Sequence, residues 1–435
     1  MLLLRMPSSD PGDVSGDLST NQIQQLMSFL ASKVQPPSST PTPEVHSVSV
    51  SSAPSSSTIG PMSVCKLQKS LYGLKQASRQ WFLKFSSTLL SLGFTQTFAD
   101  HTCFLKITDT LFLCVLVYVD DIIIASNNDS EVDLLKSQLK SFFKLRNMGP
   151  LKYFLGLEIA RSSEGLHICQ RKYALDLLDE TGLLGCKPSN IPMDPHVKLS
   201  KESGGEFVDV ESYRRLIGRL MFLQITRMDI MFAVNKLSQF SQAPRVSHQQ
   251  ALYKILHYIK GSIGQGLFYS SKSELQLQMF ADATYSSCLD KRRSTSGFYL
   301  FLGTSLISWK SKKQDVVSKS FAEAEYQSLS KSTDELVWIT NFFKELRIPL
   351  SKPTLLFCHN EAAIHIATNV VFHERNKHIE NDCHNIRERL VAGLFQLFHV
   401  RSSLQLADPF IKALYPAPFH EVFGKMGLRN IFFPS

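Results

Sequence analysis

The stretch LFLCVLVYVDDIIIAS, at residues 111–126, indicates the fold more clearly than any other part of the chain. Apolar and aromatic residues lead up to Asp120 and Asp121, and four more apolar residues follow. β-branched and aromatic residues on both sides of the two aspartates predict two short strands joined by a tight turn. Unpaired carboxylates are costly beside so much apolar chain, and a divalent metal with oxygen ligands would neutralise them. The stretch therefore predicts a β-hairpin with a carboxylate metal site at its tip, and the alternative is an ordinary polar turn.

Composition and charge favour a globular protein with a polyanionic partner. The chain has 435 residues, of which 43% are hydrophobic and 20% are charged, and this leaves room for two or three domains. Its net charge is +9, but residues 1–60 hold two basic and four acidic side chains, so the remainder carries +11. A basic globular body predicts nucleic acid as the first candidate partner.

The cysteine pattern and the lack of a long apolar run predict where in the cell the protein is located. The eight cysteines include no CxxC pair, which is typical of reduced thiols in an intracellular protein. No segment approaches the roughly 18 consecutive apolar residues of a membrane span, and the apolar residues 2–4 are too few for a secretory signal. We therefore expect a protein of the cytoplasm or nucleus without a membrane partner.

Changes in composition and apolar spacing divide the chain into regions. Residues 21–34 have the apolar spacing of a short amphipathic helix, and the Ser, Thr and Pro residues of 36–61 predict disorder. Alternating helix and strand patterns follow, with mostly helical patterns at 210–239 and 248–260. After residue 266 the patterns predict a second α/β region that contains a long helix at about 321–346.

Seven motifs carry a resemblance to one family. The motifs SLYGLKQA at 70–77, YVDD at 118–121 and YFLGLEI at 153–159 resemble the reverse transcriptase of copia-type LTR retrotransposons. Four later motifs resemble the RNase H domain of the same polyproteins: ADA at 281–283, SWKSKKQ at 308–314, AEAEY at 322–326 and KHIE at 377–380. The resemblance runs from about residue 65 to about residue 414. It implies a truncated polyprotein that comprises the C-terminal half of a reverse transcriptase and an RNase H domain.

The resemblance also implies the fold class and its division. We expect an α/β protein in which an α+β palm and thumb remnant precedes an RNase H-like mixed-sheet domain. Residues 1–62 would form the short helix and the disordered tail, and 63–200 a partial palm. Residues 201–265 would form a helical thumb or connection, and 266–420 the RNase H-like domain.

The polymerase site implied by the family is incomplete in this sequence. Asp120 and Asp121 match two of its three metal-binding carboxylates. The third belongs to an earlier strand, and that region of the chain is the Ser/Pro tract. We therefore expect the hairpin to lack sheet neighbours and the chain alone to be inactive as a polymerase.

The RNase H site implied by the family is better preserved. Asp282, Glu325 and Asp408 match three of its carboxylates, whereas His359 stands where the family has Asp. The family implies Mg²⁺ or Mn²⁺, with Asp120, Asp121, Asp282 and Glu325 as metal ligands. Imidazole is a poor ligand for Mg²⁺, so we expect an impaired nuclease. The alternatives for the matched carboxylates are a turn residue, a solvated helix face and a charge at a helix N-terminus.

Basic side chains supply candidate contacts to nucleic acid. Arg214, Arg215 and Arg219, with the nearby Arg227, could follow a phosphate backbone, and Lys310 and Lys312 follow Trp309 and join this aromatic residue to a basic run, as on a hybrid-binding surface. Solvated faces are the alternative for both groups. The expected partners are RNA, DNA and the RNA/DNA hybrid. Besides the impaired polymerase and RNase H, two hypotheses stay open: a noncatalytic nucleic-acid-binding remnant, and a chain without a selected function.

Overall fold

The computed structural model describes residues 2–5, 76–350, 352–369 and 380–431. The helix expected at 21–34 and the disorder expected at 36–61 lie outside these residues. Within them the protein is a mixed α/β structure, as expected. No helix in the described ranges combines the length and the apolarity that crossing a lipid bilayer requires.

The first sheet contains the hairpin. Its elements, with the two helices packed on it, are β1 (Leu2–Arg5), α1 (Ala77–Ser91), β2 (Thr95–Gln96), β3 (Cys103–Ile107), β4 (Phe112–Tyr118), β5 (Asp121–Ser126), α2 (Asp129–Phe142) and β6 (Arg146–Pro150). In the described part of the chain the strand order is β2-β3-β4-β5-β1-β6. Tyr118 pairs with Asp121, so only Val119 and Asp120 form the turn. The predicted hairpin is confirmed.

The expectation that this hairpin lacks sheet neighbours is wrong. Strand β4 pairs with β3 on one side, and β5 pairs with β1 on the other. The β1 register places Leu3 opposite Ile123 and Arg5 opposite Asp121. The short apolar segment at residues 2–5 thus satisfies backbone groups that an open edge would expose. Its partner strand lies more than a hundred residues away in sequence, so local patterns did not reveal the pairing.

One face of the first sheet is buried by α1 and α2. Phe85 and Leu89 of α1 and Val132, Leu135 and Leu139 of α2 are buried in one cluster with the apolar residues of β3, β4 and β5. The spacing of three and four residues places each set on a single helix face. Asn128 is the N-cap of helix α2, because its side chain accepts hydrogen bonds from two backbone N–H groups of the first turn.

The second sheet joins distant parts of the sequence. Its strands and the helices around it are β7 (Tyr153–Phe154), β8 (Leu157–Ser162), β9 (Gly165–Cys169), α3 (Arg171–Glu180), α4 (Val210–Leu223), α5 (Met231–Ser238), α6 (Val246–Gly261) and β10 (Gln265–Ser270), with α11 (Pro416–Lys425) and β16 (Leu428–Asn430) much later. The strand order in the described chain is β16-β10-β9-β8-β7. The helical pattern at 210–239 is interrupted by a 3₁₀ turn at Met228–Ile230.

The third sheet carries the second α/β region. Its elements are β11 (Leu277–Thr284), β12 (Thr295–Leu302), β13 (Ser305–Lys313), α7 (Phe321–Glu345), β14 (Thr354–Cys358), α8 (Glu361–Thr368), α9 (Glu380–Val391), β15 (Phe395–His399) and α10 (Asp408–Ile411). Among described strands the order is β13-β12-β11-β14-β15, with β14 parallel to β11 and to β15. Helix α7 matches the long helix expected at about 321–346.

The first and third sheets are in direct contact through α7. The indole Nε1 of Trp338 donates to the carbonyl of Ala99 at 2.9 Å. The carboxylate of Glu345 accepts from the backbone N–H of Phe98 at 2.8 Å. Phe342 of the same helix packs on the face of the first sheet that α1 and α2 leave uncovered. The last turns of α7 therefore anchor the third sheet to the first.

Candidate metal centre

Three side chains converge at one end of the third sheet. Strands β11 and β14 are parallel neighbours, so their carboxyl ends meet. Asp282 lies near the end of β11, His359 directly follows β14, and Glu325 lies in the second turn of α7. One oxygen or nitrogen atom from each of the three lies within 4.8 Å of the others. The residues predicted from motifs far apart in sequence thus form one cluster.

The two carboxylates are buried and share one backbone donor. Asp282 is 1% exposed and Glu325 is 3% exposed. The backbone N–H of Ala283 donates to Asp282 Oδ1 at 2.8 Å and to Glu325 Oε1 at 3.2 Å. The thiol of Cys358 lies 3.9 Å from Glu325 Oε2. A single N–H and a weak thiol donor do not compensate two buried negative charges, so the cluster needs either a nearby cation or a proton on one carboxyl group.

His359 is a basic side chain in contact with both carboxylates. Its Nδ1 atom lies 3.0 Å from Asp282 Oδ1 and 3.6 Å from Glu325 Oε1, and the imidazole is partly exposed. Nδ1 makes no hydrogen bond of regular geometry, so the contact is an ion pair approached off the donor axis. Asp282 raises the pKa of His359 above its ordinary value, although burial opposes the shift. The imidazolium form is therefore favoured beside Asp282.

Burial affects the three carboxyl groups differently. Burial and the neighbouring Asp282 raise the pKa of Glu325 well above its ordinary value. Burial also acts to raise the pKa of Asp282, but His359 outweighs it and the net shift is downward. Burial raises the pKa of Asp408 to about 6, against the opposing effect of Lys412, whose Nζ lies 2.8 Å from Asp408 Oδ1. Asp282 is thus the carboxyl group that stays ionised most readily.

These donors fit one divalent ion better than two. Asp282, Glu325 and Asp408 offer the hard oxygen ligands that Mg²⁺ and Mn²⁺ prefer. The fourth position offers His359, whose imidazole is a poor ligand for Mg²⁺ and already contacts Asp282. A second dication would lack a fourth hard oxygen ligand, so two bound ions do not fit the site as it stands.

The hairpin aspartates lie elsewhere, on the first sheet. Asp121 is 5% exposed, whereas Asp120 is exposed at the turn. Val119 has a φ of +47°, an unfavourable value for a β-branched residue, so the turn is strained at this position. Over the described ranges, no set of three potential ligands includes either aspartate. Strand β1, which pairs with β5, has the sequence LLLR and brings no carboxylate.

The predicted arginines mostly make intramolecular contacts. Arg215 Nε lies 3.4 Å from Glu180 Oε1, and Arg219 forms an ion pair with the other oxygen of Glu180. Arg214 donates from Nε to the carbonyl of Ser241 at 2.7 Å, and its side chain remains exposed. These contacts leave Arg214 and Arg215 at the surface.

The interpretation of Arg227 as a surface contact is wrong. It is 1% exposed, and its Nη2 lies 2.8 Å from Asp229 Oδ2. The same guanidinium donates to the carbonyl of Ser262 at 2.9 Å, and Tyr258 donates to Asp229 at 2.6 Å. Arg227 is thus the centre of a buried network at the 3₁₀ turn between α4 and α5, and it cannot reach a phosphate.

Lys310 and Lys312 lie on β13, two strands away from Asp282. Lys310 is opposite Phe298, which packs beneath α7, and burial lowers the pKa of this lysine. Lys312 Nζ lies 3.6 Å from Asp315 Oδ2. Phe298 pairs with both Lys310 and Ala281, so these three side chains lie on one face of the sheet. Asp282 is the next residue after Ala281, and its side chain therefore points to the opposite face.

Lys412 was not identified from the sequence as the partner of Asp408, although its spacing from Asp408 is typical of a helical ion pair. It follows Asp408 by four residues, the spacing at which helical side chains of opposite charge meet. The signal is weak because α10 spans only Asp408–Ile411.

Comparison with known proteins gives consistent matches in sequence. A family model for reverse transcriptase (RNA-dependent DNA polymerase) matches residues 44–195. The retrovirus-related Pol polyprotein from transposon RE1 of Arabidopsis thaliana is 40% identical over 371 residues, which cover 85% of this chain and 25% of the polyprotein. The corresponding polyprotein from transposon TNT 1-94 of Nicotiana tabacum is 33% identical over 362 residues, 81% of this chain and 27% of that protein. The chain thus spans about a quarter of the length of these relatives.

Solved structures give distant matches. The foamy viral protease-reverse transcriptase in complex with an RNA/DNA hybrid is 12% identical, with a TM-score of 0.39, and the match covers 76% of this chain and 39% of that one. LC11-RNase H1 in complex with an RNA/DNA hybrid is 8% identical, with a TM-score of 0.26, over 32% of this chain and 94% of that one. Both TM-scores are low, so assignment to a family rests on the sequence matches.

Proposed function

Since the chain belongs to the family of copia-type LTR retrotransposon polyproteins, we propose that its third sheet is an RNase H unit that binds RNA/DNA hybrids and cleaves them slowly. We also propose that this chain alone does not polymerise DNA. The relationship to reverse transcriptase and to retrotransposon Pol polyproteins comes from the sequence matches. The activities assigned to each part of the chain are our proposal.

The convergence of Asp282, Glu325 and His359 carries the nuclease proposal. Asp282 and Glu325, which lie in this cluster, would hold one divalent ion, and the family resemblance adds Asp408 as a third ligand. Such an ion stabilises charge on a phosphoryl oxygen and lowers the pKa of a bound water. Ala283 N–H orients the Asp282 and Glu325 carboxylates toward each other, and Lys412 restrains Asp408. His359 opposes this function because its proton competes with the metal for Asp282, so we expect a low rate.

The surroundings of the hairpin support the proposal that polymerase activity is absent. Two adjacent aspartates are a smaller ligand set than a two-metal site requires. The strand beside β5 has the sequence LLLR and supplies no third carboxylate next to the aspartates. Primer extension by the full chain on an RNA template would contradict this part of the proposal.

Hybrid cleavage tests the nuclease proposal. We expect the purified full chain to cleave the RNA strand of an RNA/DNA hybrid slowly in Mn²⁺, and more slowly in Mg²⁺. Asp282→Asn should abolish the cleavage, because the amide cannot supply a negative charge to the metal. Asp334→Asn, an exposed change on α7, is the matched control and should cleave like the wild type. Cleavage that persists in Asp282→Asn would place the activity in a contaminant or another site.

The ion pair between His359 and Asp282 also favours a second candidate, a noncatalytic hybrid-binding protein. An internal cation that replaces the metal gives a stable site without turnover. Hybrid binding with a steep salt dependence, but without cleavage in either metal, would favour this candidate.

A further inference from the structure

An aromatic pair lies beside the candidate metal centre. The rings of Tyr285 and Phe321 are in contact, with centroids 4.5 Å apart and planes at 40°. Tyr285 follows Asp282 by three residues, and Phe321 precedes Glu325 by four residues, which is about one turn or 6 Å along α7. The pair therefore lies on the surface that flanks both carboxylates.

The fold does not require Phe321 for its core or its helix cap. The side chain is 68% exposed, and it belongs to none of the buried clusters of the described chain. Helix α7 is capped by Ser320, whose hydroxyl accepts from the backbone N–H of Glu323 at 3.1 Å. The hydroxyl of Tyr285 donates to the carbonyl of Lys319 at 3.5 Å and helps to fix the orientation of the pair. Phe321 is thus a large aromatic side chain held in place and directed to solvent.

A basic turn extends from the same strand end. It consists of residues 288–293 between β11 and β12, and Lys291, Arg292 and Arg293 follow one another in it. Reciprocal backbone hydrogen bonds between Cys288 and residues 292 and 293 close the turn. Lys291 and Arg292 are exposed, and neither forms an ion pair within the described ranges. At about 3.3 Å per residue, Cys288 lies within about 20 Å of Asp282, so one duplex can reach both the turn and the metal centre.

We propose that the Tyr285–Phe321 pair packs on the sugars of an RNA/DNA hybrid across its minor groove, while the basic turn contacts phosphates of one strand. This proposal rests on the function proposed above, because it assigns the surface that presents the hybrid to Asp282 and Glu325. The minor groove of an A-like helix is wide and shallow and exposes the sugars, so a protruding aromatic ring can contact them. Two aromatic side chains are far smaller than the roughly 800 Å² per partner of a stable protein interface, so a protein partner fits this surface less well.

Equilibrium binding over a salt series tests the proposal. We would measure binding of a fluorescent RNA/DNA hybrid to the full chain by anisotropy, with EDTA present so that metal binding has no part in the result. Phe321→Ala should weaken binding by about 5- to 20-fold at every salt concentration, because an apolar contact with the sugars is lost but no counterion contact changes. Arg292→Gln should instead reduce the slope of log K against log salt by about 0.7–0.9, because one phosphate contact is lost.

Two further variants complete the design. Phe321→Tyr should bind like the wild type, because the ring is kept. Val391→Ala removes another highly exposed apolar side chain, at the end of α9, and should leave binding unchanged. Circular dichroism of each variant verifies that it is folded.

The outcomes separate this proposal from the one on which it rests. If the wild type binds the hybrid and Phe321→Ala binds equally well, the aromatic surface is not used and only this inference fails. If the wild type does not bind the hybrid at all, the proposed function fails as well. Self-association that depends on Phe321, seen by sedimentation velocity with unchanged hybrid affinity, would assign the surface to a second copy and would also overturn the inference.

Discussion

His359 Nδ1 lies 3.0 Å from Asp282 Oδ1, and Asp282 raises the pKa of this imidazole, so the contact favours a cationic side chain beside two buried carboxyl groups. The cluster is then neutralised in part by the protein itself. A metal ion that binds there must compete with the imidazolium for the same oxygen. This relationship connects the stability of the site to its chemistry.

Replacement of His359 by Asp should make folding stability depend on a divalent metal. His359→Asp removes the internal cation and adds a fourth carboxyl group, so the metal-free variant should unfold at a lower temperature than the wild type. Mg²⁺ at a hundredfold excess over its Kd should then restore about 2.7 kcal/mol of the free energy of unfolding. Thermal unfolding with and without Mg²⁺ measures the effect.

The control for this prediction is His365→Asp, the same chemical change at an exposed position of α8. It should show no Mg²⁺-dependent gain in Tm. An equal Mg²⁺ response in His359→Asp and the wild type would show that His359 does not compete with the metal.

Asp229→Ala should be strongly destabilising, because it leaves the buried Arg227 guanidinium without its carboxylate. Removal of one partner from a buried ion pair costs about 3–5 kcal/mol. Urea unfolding should detect this loss, whereas Asp194→Asn, which breaks the more exposed pair with Lys254, should cost about 1 kcal/mol or less. In the double variant Arg227→Met/Asp229→Ala, part of the loss should be recovered, and equal instability of the single and double variants would contradict this account.

His248 should make the protein less stable in mild acid. The ring is buried against Phe240, its Nδ1 accepts from the backbone N–H of Arg245 at 2.9 Å, and Nε2 lies 2.9 Å from the carbonyl of Ser200. Burial lowers the pKa of His248 below its ordinary value of 6.5. The unfolded chain therefore takes up this proton first, and stability is lost as the pH falls below 6.5 toward the folded pKa.

The difference between pH 7.5 and pH 5 in the free energy of unfolding tests this account. It should be smaller in His248→Gln than in the wild type, since the glutamine does not titrate. His365→Gln, at an exposed site, should keep the wild-type difference. A His248→Gln variant with the full pH dependence would assign that dependence to other groups.

Leu3→Pro should loosen the first sheet at β5. Proline lacks the N–H that a central strand donates, and Leu3 pairs with Ile123 in the middle of β1. Amide hydrogen exchange at residues 122–124 should become faster, while Leu3→Val should preserve the protection. Unchanged exchange in the proline variant would show that β5 is protected without β1.

Local patterns predicted the elements that carry strong periodicity. The apolar runs around Asp120 and Asp121 gave the hairpin, and the apolar spacing after residue 321 gave α7. The strands that depend on distant partners were missed: β1 holds four residues and β10 has no alternating pattern, so their pairing is a tertiary property. Arg227 was misplaced for a related reason, since a charged residue on a helical segment is usually exposed.

The candidate site shows the same limits. The resemblance to the RNase H domain assigned Asp282, Glu325 and His359 to one site, and the structure places these three side chains close together, but the sequence gave no information on the contact between His359 and Asp282. The exposed aromatic pair was overlooked because Tyr285 and Phe321 are 36 positions apart, and only the meeting of β11 with α7 brings them into contact. Exposure and side-chain direction depend on packing, and a single sequence does not display them.

The pairing of β16 with β10 has a consequence for the order in which the protein folds. Leu267 pairs with Leu428, which is synthesised about 160 residues later, and all of the third sheet lies between them. On the ribosome β10 can join β9 early, but its second edge stays open until residues 428–430 have emerged. Closure of so long a loop is slow, and an open edge invites pairing with other chains in the meantime. The third sheet can assemble during this interval, so β16 would close the second sheet only after the third sheet has formed.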